Sequence, residues 1–227
     1  MRLHLLGLSA AVMLATPAQA VTRNYTVTGF ERVRIDGPYR VKLTTGVPPF
    51  ANASGSTAAL EAVSVEVVGR MLIVRRKSAK ATAAEGPVTI SLGTHELTAA
   101  WLNGSGGLAI DGVKGHAFQL GVSGSGVAEV GKVSVDRLQV SVSGSGSVGL
   151  GGTAQAANFS VSGPSSVQAA ELSAKAAKIS AQGSPTVRLT ATETADVNAR
   201  GLAVVELSGK PACTIRPTST AEVHGCR

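Results

Sequence analysis

The chain has 227 residues and a formal net charge of +7, with charged residues at 15% and aromatic residues at only 3%. So few charges and rings argue against a compact enzyme with a deep polar cleft. Together with 27 glycines, they argue for a fold that repeats small residues at crowded positions.

Residues 1–20 read as a secretory signal peptide. Arg2 supplies the positive n-region, Leu5 to Ala15 is an apolar run too short to span a bilayer, and Ala18-Gln19-Ala20 after Pro17 is a small-residue cleavage site. The mature chain is expected to begin at Val21, exported to the periplasm or the extracellular space. With Val at 21 and no cysteine nearby, a lipid anchor is not expected. No later segment is apolar over the roughly 18 residues that a membrane helix needs, so the chain is not read as membrane-spanning.

Without Arg2 the chain carries 20 basic and 14 acidic residues, a net of +6. Residues 21–85 hold 10 basic and 5 acidic residues, so +5 of that charge lies there and +1 in the rest. The densest basic run is Arg75, Arg76, Lys77 and Lys80. It reads as a solvated loop at a strand end, with attraction to an acidic surface such as lipopolysaccharide as its functional alternative.

Residues 21–95 are predicted as a β region continuous with the rest and capping it. Phe30 to Ile35 and Tyr39 to Thr44 alternate in hydropathy around the turn Asp36-Gly37-Pro38. Val63 to Val67, Gly69-Arg70 and Met71 to Val74 read as a hairpin. Ala79 to Gly86 is a small-residue linker or exposed turn, and Val88 to Leu92 leads into the repeats.

Those repeats fill residues 96–210. Leu102-Asn-Gly-Ser-Gly-Gly-Leu-Ala-Ile110, Val122-Ser-Gly-Ser-Gly-Val-Ala-Glu-Val130 and Val142-Ser-Gly-Ser-Gly-Ser-Val-Gly-Leu150 are three close copies, and weaker ones follow. Their first glycines, Gly104, Gly124, Gly144, Gly163, Gly183 and Gly201, are spaced 20, 20, 19, 20 and 18 residues apart. Around each glycine, positions −4, −2, +4 and +6 are apolar in every copy and alternate with mostly polar residues. A constant period with period-2 alternation predicts an all-β fold, a right-handed parallel β-helix with coils of about 20 residues and turns at the GSG segments. The first glycine of each copy is expected to point inward where the coil turns, and to tolerate positive φ.

Residues 211–227 are predicted to close the far end. In an oxidising compartment Cys213 and Cys226 read as one disulfide. A metal site from Cys213, His224 and Cys226 lacks a fourth ligand and CxxC spacing. No cofactor is expected.

The outward columns hold the candidate binding face: Trp101, Asn103, Ser123, Ser141, Ser143, Ser160, Ser162 and Ser180. Stacked coils favour small uncharged residues for packing reasons alone. The functional reading is a hydroxyl-rich face for a glycan or a protein, with Trp101 as an aromatic platform. No catalytic residues are assigned. Glu129 and Glu206 share a column but sit four coils apart, roughly 19 Å, too far for a carboxylate pair. Asp111, Asp136, Glu171 and Asp196 read as solvated turn residues. His95, His116 and His224 are isolated in sequence, and no G-x-S-x-G elbow occurs.

The stretch Gly29-Phe-Glu-Arg-Val-Arg-Ile-Asp-Gly-Pro-Tyr-Arg-Val-Lys-Leu43, the segment Gly69 to Val74 and the GSG repeats together resemble the head GIN domain family of autotransporter-type adhesins. The resemblance covers nearly the whole mature chain. It implies a pectin-lyase-like β-helix with GSG repeats at tight turns and a role in adhesion, and it supplies no catalytic residues. The reading is a non-enzymatic exported β-helix for adhesion, envelope interaction or envelope structure. The alternative is a carbohydrate-active β-helix enzyme or glycan-binding module. The sequence names no partner: an envelope glycan or protein suits the compartment, a homo-oligomer stays open, and no nucleic acid is expected.

Overall fold

Val127 pairs in parallel with Gly107 on one side and with Ser147 on the other, and this one-coil offset carries the fold. The computed structural model describes residues 21–77, 86–218 and 220–227. The expected signal peptide, residues 1–20, and residues 79–85 of the expected linker, Lys80 among them, lie outside the described residues. The strands, in chain order, are β1 (Val21–Tyr25), β2 (Arg32–Asp36), β3 (Arg40–Thr45) and β4 (Phe50–Gly55). A short helix α1 (Thr57–Ala62) precedes β5 (Val63–Val68), β6 (Met71–Arg76), β7 (Thr89–Thr94) and β8 (Ala99–Gly104). Five long strands follow: β9 (Gly107–Gly124), β10 (Val127–Gly144), β11 (Ser147–Ser162), β12 (Ser166–Gly183) and β13 (Thr186–Gly201). The chain ends with β14 (Val204–Ser208), β15 (Ala212–Thr218) and β16 (Glu222–His224). Together they wind into a parallel β-solenoid of about six turns.

Each long strand bends twice. In β10 the buried residues are Ala128 and Val130, then Val133 and Val135, then Leu138, Val140 and Val142. Alternation breaks at Gly131-Lys132 and at Asp136-Arg137, where two successive residues face solvent. The GSG turn supplies the third corner, so a coil has three faces. We call the face after the turn the first, the next the second, and the face leading back to the turn the third. Shorter coils lose their residues at the bends: the register shifts between Val130 and Val133, and again between Ala169 and Ser173. The first and third faces therefore stay in register while the spacing falls to 19 and 18.

The interior is a set of stacked ladders. Ala100, Leu120, Val140, Phe159, Ile179 and Val197 form one column, all within 2% of complete burial. A fully buried leucine- or valine-sized side chain contributes about 1.5–3 kcal/mol, and none of these faces could be covered within one coil.

The GSG turns divide their work differently from the expectation. The first glycines are at or near the surface, and all six have positive φ, from +80° at Gly201 to +113° at Gly104. The buried inward slot belongs to the second glycine, at Gly106, Gly126 and Gly146, and to Ser165, Pro185 and Ala203 in later coils. Period-2 alternation assumes an extended backbone. Positive φ at the first glycine breaks it and hands the inward position on.

The N-terminal coils are stacked out of chain order. β2 lies between β6 and β8, and β3 between β7 and β9, all parallel. Asp36-Gly37-Pro38 is thus the first turn of the ridge, directly beside Asn103-Gly104. Beyond it the parallel edge is closed by antiparallel strands, β4 on β7, β1 on β4 and β5 on β6. α1 joins β4 to β5, is capped by Ser56 Oγ accepting from Ala59 N at 3.2 Å, and adds Ala59 and Leu60 to the core. At the other end Cys213 and Cys226 are bonded, with Cα atoms 5.7 Å apart.

Candidate functional site

The third face carries the serine columns. Register runs from Arg34 through Trp101, Gly121, Ser141, Ser160 and Ser180 to Asn198, and beside it from Asp36 through Asn103, Ser123, Ser143, Ser162 and Gln182 to Arg200. The indole of Trp101 lies down on the sheet. A Cβ on Gly121 would be 2.6 Å from its Cδ1 and 3.3 Å from its Nε1, so the missing side chain at 121 makes room for the ring. Asn103 Nδ2 donates to Asp36 Oδ1 at 2.6 Å, and Arg34 Nε donates to the same carboxylate at 3.0 Å. A half-buried indole is thereby set next to a fixed trio of planar polar groups. Ser123, Ser143, Ser160 and Ser180 are exposed, and Ser141 and Ser162 partly so.

Of the basic run, Arg75, Arg76 and Lys77 are among the described residues. Arg75 and Arg76 end β6 at the level of the Asp36-Gly37 turn, because Val74 stands beside Ile35. Arg75 pairs with Glu66 at 3.3 Å. The Ser64 hydroxyl, then the Arg75 guanidinium, hold the Glu66 carboxyl below its ordinary range. Lys77 continues past the strand end, and Lys80 is outside the described residues.

The carboxylates and histidines are spread over several faces and corners. Glu129 and Glu206 are separated by Gly149, Gln168 and Arg188 in one column. Arg188 Nε donates to Glu206 Oε2 at 2.7 Å, and this hydrogen bond lowers the Glu206 pKa. Asp111 accepts from Thr45 N at 3.0 Å and from Gly112 N at 2.7 Å, which fixes a corner. His116 is not isolated: its Nδ1 is 2.6 Å from Asp136 Oδ2, and its Nε2 is 2.5 Å from Arg137 Nη2. A guanidinium only donates, so Nε2 accepts and Nδ1 keeps the proton shared with Asp136. Both ring nitrogens thus have a partner. The signal was present in the sequence, since 116 and 136 are one 20-residue coil apart.

Two concavities missed by sequence reasoning lie on the first face. One is floored by Gly107 and Ala109 and walled by Arg40, Lys42, Val127 and Glu129. A second is floored by Gly149 and Gly151 between Glu129, Gln168 and Glu171. Among the described residues, no group of three or more His, Cys, Asp or Glu side chains is placed to hold a metal ion. Nor, among the described residues, is any helix long and apolar enough to cross a membrane.

The family model described as "putative auto-transporter adhesin, head GIN domain" matches residues 29–211. A solved putative adhesin from Bacteroides fragilis is 23% identical, with a TM-score of 0.82 over 90% of this chain and 96% of that one. A putative adhesin from Parabacteroides merdae is 17% identical, with a TM-score of 0.71 over 91% and 96%. A putative lipid binding protein from Parabacteroides distasonis is 19% identical, with a TM-score of 0.70 over 90% and 96%. These likenesses establish the fold. No curated protein matches the chain by sequence.

Proposed function

The chain belongs to the head GIN domain family, and on that premise we propose that it is an exported, non-enzymatic binding module acting in adhesion or envelope interaction. Its compartment is periplasmic or extracellular. The contact surface in this reading is the third face, from Trp101 across Ser141, Ser143, Ser160 and Ser180. The observation that carries it is the indole of Trp101 laid over Gly121 beside Asn103, Asp36 and Arg34. An aromatic face next to planar hydrogen-bonding groups is what a sugar ring or a polar protein patch packs against.

The test is a charge placed on that face. Ser143→Glu with Ser160→Glu introduces two carboxylates on adjacent coils and disturbs no core residue, so stability should fall by at most about 1 kcal/mol. Adherence of the mature protein to an isolated envelope fraction, and binding on a glycan array, should be lost in this variant and in Trp101→Ala. Unchanged adherence with both variants would remove the face from the function.

A second reading, hydrolysis of a glycan, is favoured by Glu129 and Glu171, which flank the concavity over Gly149 and Gly151. Release of reducing ends by the wild type, abolished by Glu129→Gln with Glu171→Gln, would favour it over binding alone.

A further inference from the structure

Most glycines within the strands answer to the fold. Some have positive φ. Others face a stacked carbonyl, as at Gly112, Gly131 and Gly151, where a Cβ would lie 2.9 Å from an oxygen. Gly121 makes room for Trp101, and Gly93 for Phe50. Gly107 and Gly149 answer to none of these. Neither has positive φ, and a Cβ on Gly107 would meet only Val127 O, at 4.0 Å. The column of Gly107 runs Arg40, Gly107, Val127, Ser147, Ser166, Thr186, so the slot accepts side chains in the other coils.

The missing side chain at 107 opens a trough. With Ala109, the next outward residue, β9 forms a low floor between two taller rows. Arg40 and Lys42 stand on β3, and Val127 and Glu129 stand on β10. The two wall strands are two strand spacings apart, about 10 Å, room for a single sugar chain but not for a helix. Arg40 and Lys42 are both exposed, and neither is in an ion pair among the described residues. Val127 is 45% exposed, an apolar side chain facing them across the floor.

These walls match one chemical class. Two neighbouring cations take an anionic group, one of them through a guanidinium fork. An exposed valine packs against the C–H face of a pyranose. The Glu129 carboxylate accepts from ring hydroxyls. An extended peptide has nothing to pair with here, because β9 already has β3 and β10 as its neighbours. Pro38, Pro87 and Ala109 also line the trough and add apolar surface on which the C–H faces of a sugar can pack.

We propose that the trough over Gly107 is a binding site for an acidic saccharide, one carrying a carboxylate or a phosphate. The site lies on a different face from the serine columns and stands or falls independently of the function proposed above.

The test is calorimetric titration of the mature protein with an oligomannuronate, with glucose 6-phosphate and with a neutral oligosaccharide of the same length as the first. Gly107→Thr fills the floor with a residue that the same column already holds at Thr186. Arg40→Gln with Lys42→Gln removes the cations, and Lys114→Gln, exposed on the second face, is the control. At least one acidic probe is expected to bind, the neutral one not. Both trough variants should weaken binding tenfold or more, and the control should leave it unchanged. The carboxylate and phosphate probes distinguish the source of the anion. Binding by neither acidic probe, equal binding of the neutral oligomer, or full affinity in a folded Gly107→Thr protein would overturn the proposal.

Discussion

A methyl group on Gly144 would sit 2.5 Å from the carbonyl oxygen of Gly124, on a backbone with φ of +110°. Both faults are fixed by the stack, because Gly124 is held in turn by Gly104. Gly144→Ala should therefore cost about 2–4 kcal/mol through strained φ and overpacking. Gly149→Ala, five residues on, would meet only Glu129 Cγ at 3.6 Å. It should be neutral or stabilise by up to about 1 kcal/mol through the unfolded chain. Denaturant melts of the two variants check the contrast, and equal destabilisation would refute this division of the glycines. The sequence located the turn but not the division of labour within it. Two glycines two residues apart look alike in a repeat, and only φ tells which one faces the core.

At the scale of elements, the ends of the solenoid differ from its middle. β10 to β12 each have a partner on both sides along nearly their whole length, whereas β16 has three residues paired with β14 alone. β15 pairs only with β13, and Ile215 remains 38% exposed at this end. The bond from Cys213 to Cys226 ties the last residues back across it, closing a loop with a sequence separation of 13. Reducing it should lower stability by about 2–4 kcal/mol on the chain-entropy account. Amide exchange should quicken in Ala212–Thr218 and Glu222–His224 while Val127–Gly144 keeps its protection. Unchanged protection in β15 and β16 would mean that packing alone closes this end. The cysteine pair was legible because an even count in a chain read as exported has few other meanings. The order of the N-terminal coils was not. Insertion of β2 and β3 between later strands leaves no period to read, since Gly37 and Gly104 stack although they are 67 residues apart.

For the whole molecule, the columns matter more than the individual contacts. Val127 to Gly146 is one complete coil, and its inward residues Ala128, Val130, Val133, Val135, Leu138, Val140 and Val142 meet the corresponding column in the coils before and after. The three-faced cross-section was hidden in the sequence, because the corner pairs Gly131-Lys132 and Asp136-Arg137 carry no motif beyond a lapse in alternation. Its consequence is testable. A second copy of residues 127–146 inserted after Gly146 keeps all three faces in phase and lengthens the stack by about 4.8 Å. In a nearly one-dimensional array such a unit adds its own interfaces and disturbs no distant ones. The enlarged protein should stay folded, keep its β spectrum, and melt within a few degrees of the wild type. Inserting only residues 127–136 keeps the two-residue alternation but lays first-face residues over the third face. Val148 and Leu150 then fall over Leu138, Val140 and Val142, where Ala157, Phe159 and Val161 belong, and the core is broken across a whole layer. That variant should lose its cooperative melt or aggregate. If the half coil were tolerated as well as the full one, column register would not be what holds this solenoid together.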